Sequence, residues 1–140
     1  MRDIALELAV LLERAGLGLV RPPASGANLF TSPMPESDGA VPDRVVALVV
    51  TGGAGPQSYV GRRRMAYLVP ECQVRTRSER EDFEGGQRLA QSVFAALNQS
   101  ALMPYSVVRA EESAPAYLGT DDADRHRWVF KLVVGYLVAS

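Results

Sequence analysis

Cysteine occurs once in this 140-residue chain, at Cys72, which excludes an internal disulfide and any zinc cluster built on cysteines. Histidine also occurs once, at His126. Any Ser/His/Asp or Cys/His relay would have to be assembled on that ring, and no Gly-x-Ser-x-Gly elbow supplies a serine. Charge of one sign is lacking too. The formal net charge is −1, so no strong overall field draws the chain to nucleic acid or to a membrane surface. No apolar run approaches the ~20 residues of a membrane span. The best stretch, Trp128–Val138, is interrupted by Lys131, and Asp3 and Glu7 break the uncharged core that a signal peptide needs. These absences lead to the expectation of a protein made and kept in a cytoplasm, with no catalytic residues, no cofactor and no metal.

Lysine is scarce as well: Lys131 stands alone beside fourteen arginines. Arginine persists where bidentate pairing to carboxylate or phosphate matters, although a GC-rich coding bias yields the same skew. An apolar share of 47% and a charged share of 22% fit a single globular domain over residues 1–140, with one ordinary core.

What is present falls into distinct segments. Ile4, Leu8, Leu11, Leu12 and Ala15 recur at helical spacing after Asp3, a natural N-cap. Gly16 and Gly18 sit where a left-handed stop belongs. Residues 19–44, punctuated by Pro22, Pro23, Pro33, Pro35 and Pro42, read as a long loop with a short edge strand at Asn28-Leu29-Phe30. Val45–Thr51 is an apolar strand closed by Gly52-Gly53, and residues 52–65 read as a second, flexible loop. Ala66–Arg77 is a strand, or a pair of strands, interrupted by Pro70, which demands an edge or a bulge.

A helix is predicted from about Glu79 to Asn98, opened by the capping box Ser78-x-x-Glu81. Gly85 and Gly86 inside it each cost on the order of 1 kcal/mol, and close approach of helix to sheet at Gly86 would compensate. Tyr105–Glu111 and Arg127–Val138 are further strands. In the last, Trp128, Phe130, Leu132, Val134 and Tyr136 share one face, while the other is only half polar. That second face therefore needs a cover, either the long loop or another subunit. The order αββαββ predicts an α+β fold: a mostly antiparallel four- to five-stranded sheet with two helices packed on one face.

The segment Asp121-Asp122-Ala123-Asp124-Arg125-His126 offers carboxylates and an imidazole to a hard cation. It lacks the glycine and terminal glutamate of a calcium loop, and it falls where two strands must turn. Thr51–Gly55 lacks the Gly-Lys-Ser/Thr ending of a phosphate loop. Cys72 alternates in phase with Val74, which suits a buried, inert thiol. Arg62, Arg63 and Arg64 suit contact with phosphate, or a solvated loop. Gln73, Arg75 and Arg77, with Arg109 and Lys131 expected on the same face, suit the rim of a protein interface, where arginine is enriched; a plain solvent face is the competing reading. These eight residues form the candidate contact set.

The succession of segments resembles a known family. The amphipathic N-terminal helix, Asn28-Leu29-Phe30 with the later Met34-Pro35, and the strand ending at Gly53 are similar to tail terminator proteins of long-tailed bacteriophages, also called minor capsid proteins. So are Gln73-Val74-Arg75-Thr76-Arg77 before an acidic helix, and Tyr117-Leu118-Gly119-Thr120-Asp121-Asp122 leading into Arg125-His126-Arg127-Trp128. The likeness spans nearly the whole chain, departing at Gly85-Gly86. The resemblance implies a virion structural protein, without activity or cofactor, at the neck end of the tail after assembly in the host cytoplasm. Its partners would be copies of itself in a ring, usually a hexamer, the major tail tube protein, and a head completion or stopper protein. Genome DNA would touch the lumen in passing, and no membrane is involved. The rival expectations are another head–tail connector, an adaptor or stopper, and a small metal-binding enzyme domain using the Asp121–His126 cluster.

Overall fold

The first helix begins where a side chain makes it begin. Asp3 accepts the Leu6 amide at 3.2 Å, opening α1 (Ile4–Glu13). Beyond it the computed structural model, which describes residues 2–36, 39–58, 65–102 and 104–139, places β1 (Leu29–Phe30), β2 (Val45–Ser58), β3 (Met65–Ser78), α2 (Phe83–Leu97), β4 (Val107–Ala110), β5 (Ala116–Thr120) and β6 (His126–Ala139). The fold is α+β, with two helices and a six-stranded, mostly antiparallel sheet. The expected order αββαββ is corrected to αβββαβββ, and the strand count rises to six. β5 was not anticipated, because Gly119 and the turn-like flanks of its five residues mask any alternation.

The sheet runs β1-β2-β3-β6-β4, with β5 continuing the β4 edge along β6. Only β1 lies parallel to its neighbour. Both helices pack on one face. Leu8, Leu12, Val93 and Leu97 join Val46, Leu48, Cys72, Val74, Phe130 and Leu132 in one buried cluster.

The segment 52–65, expected to be a loop, is strand as far as Ser58, and β3 begins again at Met65. Gly52 and Gly53 do not end β2. They take φ of 93° and 116° and let it bulge, so the register with β3 shifts between Val50 and Gly53. Gly53 then faces Pro70, which explains how a proline sits in an inner strand. A Cβ at Gly53 would lie 2.9 Å from Pro70 Cα.

The start of α2 is also corrected. Ser78 is the last residue of β3, held extended by its pairing with His126, and cannot cap a helix. Asp82 does so instead, accepting the Gly85 amide at 2.8 Å. The close approach expected at Gly86 is real: a Cβ there would lie 2.7 Å from Trp128 Cη2 and closer still to the Ser78 side chain.

Candidate interaction surfaces

The face of the sheet away from the helices divides into a covered and an open part. Arg77 decides where the cover lies. Its guanidinium donates to the carbonyls of Pro35 (2.5 Å), Asp43 (2.8 Å) and Pro42 (3.0 Å), tying the loop before β2 across the sheet. Val45 and Ala47 are buried beneath this end. Arg77 is itself only 2% exposed, so within the expected contact set it is corrected from a rim residue to a buried anchor. The alternation placed it on the right face; nothing in that pattern revealed that the loop would fold over it.

Gln73, Arg75, Arg109 and Lys131 do share this face, because Gln73 stands opposite Lys131, and Arg75 and Arg109 face Val129 and Val133. Gln73 accepts from Arg75 Nε at 3.0 Å, and Lys131 pairs with Glu71 at 3.7 Å. Arg109 and Lys131 are exposed. Arg62, Arg63 and Arg64 lie outside the described residues. Towards the β2–β3 hairpin the face turns apolar, with Val107 and Leu137 both exposed.

Two sheet edges are open. β2 pairs with β1 only at Val46 and Ala47, so from Leu48 to Ser58 its outer edge has no strand beside it among the described residues. Val50 is exposed on this stretch. At the other side of the sheet, β4 and β5 pair only with β6. The outer edge of β4 is closed by the end of α2, where Gln99 N donates to the Val108 carbonyl at 2.7 Å and Ala110 N to Asn98 Oδ1 at 2.8 Å, so the open edge on this side is β5. There Phe83, Tyr117, His126 and Trp128 form an aromatic group, with Phe83 centred 5.2 Å from Tyr117 and 5.3 Å from His126. Phe83, Tyr117 and Leu118 are exposed. This apolar edge was missed with β5 itself, although Tyr117-Leu118 was a visible signal.

The Asp-rich segment is the hairpin turn between β5 and β6. Asp121 accepts the amides of Ala123 (2.9 Å) and Arg125 (3.0 Å), and its second oxygen takes Arg125 Nε at 2.8 Å. Burial pushes the Asp121 carboxyl up, but those donors and the Arg125 charge outweigh it and hold the group below the usual aspartate range. Asp124 takes a left-handed φ of 61°, as aspartates in turns do. Both ring nitrogens of His126 are engaged, Nδ1 with Tyr117 Oη (2.8 Å) and Nε2 with the Arg80 carbonyl (3.1 Å). Among the described residues no group of three or more His, Cys, Asp or Glu side chains is placed to hold a metal. Cys72 is buried, and that burial pushes its thiol up to about 12.

No helix among the described residues is long and apolar enough to cross a membrane. The sequence matches no protein-family model, and no curated protein matches it.

Proposed function

We propose that this protein is a virion structural component of the tail-terminator kind. In this reading copies of the chain close into a ring, a hexamer by analogy with the family it resembles. The ring caps the tail tube, ends polymerisation of the major tail protein and offers the joining surface to a head completion or stopper protein. It carries out no catalysis and needs no cofactor.

The observation that carries the reading is the pair of unlike open edges on opposite sides of one sheet: β2 from Leu48 onward, and β5 with Tyr117 and Leu118. A ring needs a heterologous interface, two different patches on each subunit related by a rotation that closes. An exposed strand edge is a ready template for pairing with another chain. The sequence likeness supports the same reading, since its segments follow one another in order over nearly the whole chain.

Native mass spectrometry and negative-stain microscopy at rising concentration should find a closed ring. Preformed tail tubes incubated with the protein should carry it at one end. A chain that stays monomeric at every concentration and leaves tube ends bare would sink the proposal. A chain that caps no tube yet binds an assembled head portal would instead favour the adaptor or stopper reading.

A further inference from the structure

A cavity of about 170 Å³ opens on the outer sheet face beneath the loop that Arg77 holds. Its wall includes Arg75, Arg77, Arg125 and Arg127, against the carboxylates of Asp121 and Glu36. Arg77 and Arg127 stand directly opposite each other across β3 and β6. Like charges in that position destabilise a sheet, so something must offset them.

The internal partners do so only in part. Arg125 is well served, by Asp121 at 2.8 Å and Asp43 at 3.6 Å. Arg77 hydrogen-bonds carbonyls rather than a carboxylate, and burial together with the nearby Arg125 holds it below the usual arginine range although Asp121, Asp43 and Glu36 pull the other way. Arg127 donates from Nη2 to the Leu118 and Thr120 carbonyls, while its buried Nε has no partner among the described residues. Arg75 spends Nε on Gln73, a neutral group. Glu36 reaches Arg125 only at 3.8 Å, from a side chain 90% exposed. Positive charge and donor capacity are thus left over at Arg75 and Arg127, and the more exposed carboxylate, Glu36, is weakly held.

The geometry points to a binding site for a phosphate-class oxoanion, held by Arg75 and Arg127 inside the positive field of Arg77 and Arg125, with Glu36 as the displaceable internal counter-ion. Arginine's planar fork matches such an anion, and its guanidinium sheds water more readily than an ammonium. A water molecule needs about 10–15 Å³ of such space, so an ion the size of phosphate fits with water to spare. The site is independent of the reading as a tail protein.

Isothermal titration calorimetry with inorganic phosphate at low ionic strength tests it. The chain should show saturable one-site binding with a Kd of about 1 mM or tighter. Arg127→Gln and Arg75→Gln should each weaken it about tenfold, the scale of one lost charge-assisted hydrogen bond. Glu36→Gln should strengthen it several-fold, because the competing carboxylate is gone. Among the described residues Arg75→Gln breaks a single side-chain hydrogen bond, so it carries the test should Arg127→Gln fail to fold. Dimethyl phosphate separates the sources: comparable affinity for it assigns the site to a phosphodiester backbone, and binding of inorganic phosphate alone assigns it to a free or terminal phosphate. No saturable binding at tens of millimolar phosphate overturns the proposal. So does an Arg75→Gln affinity equal to the parent's, or weaker binding in Glu36→Gln.

Discussion

Arg77 shows how one side chain sets the layout of a whole face. It is a charge taken out of water and repaid by three carbonyls of the loop before β2, so removing it leaves those acceptors unserved. Arg77→Met keeps the bulk and deletes the donors. It should cost about 3 kcal/mol in urea unfolding, the scale of breaking a buried charged contact. Amide hydrogen exchange should then quicken in the segment 39–44 while β6 keeps its protection. A second residue-scale test is Gly86. Alanine there gains helix propensity of about 1 kcal/mol. It also drives a methyl into the Ser78 side chain and Trp128, an overpacking term of typically 1–3 kcal/mol. Gly86→Ala should therefore be destabilising on balance, and a variant more stable than the parent in thermal unfolding would mean that α2 can lift away from β6.

At the scale of elements, the β5–β6 hairpin depends on Asp121 being ionised. Its folded carboxyl is held below the ordinary 3.8, so it adds stability that is present above that value and lost as pH falls through and below it. Asp121→Asn keeps an oxygen for the turn amides but loses the Arg125 pair. The variant should be weaker by about 1–2 kcal/mol at pH 7, the value of a hydrogen bond to a charged group. The gap to the parent should close as pH falls below 3.8, and a gap that stays constant would mean that the charge is not what holds the turn. The same elements show what the sequence disclosed. The helix-side face was legible, because Phe130 and Leu132 alternate with their neighbours as strand residues must, and α1 announces itself through Asp3. Two signals misled. Gly52-Gly53 looks like a stop, yet it makes a bulge, a choice set by Pro70 on the partner strand and invisible locally. Ser78-x-x-Glu81 fits a cap, yet cross-strand pairing with His126 claims Ser78 first. Long-range contacts overrode local pattern in both cases. The cavity under the loop was hidden for the same reason, since Arg75 and Arg127 lie far apart in the chain and meet only through the β3–β6 register.

For the whole molecule, the decisive question is whether its two open edges recognise each other. A lysine on an edge strand is a known way of discouraging pairing. Val50 is 44% exposed and Leu118 40%, so Val50→Lys and Leu118→Lys should each change stability by no more than about 0.5 kcal/mol. If β2 of one subunit meets β5 of the next, each variant alone is monomeric by size exclusion with light scattering, because every interface in a ring would carry the blunted patch. Mixing the two is more informative. The Val50→Lys chain keeps a sound β5 edge and the Leu118→Lys chain a sound β2 edge, so they can join through that one pairing. The product must be a heterodimer and nothing larger, since its outer edges are both spoiled and a heterologous chain cannot close with a broken link. Rings from either variant alone would place the interface elsewhere, and a mixture that stays monomeric would show that the two edges are not partners.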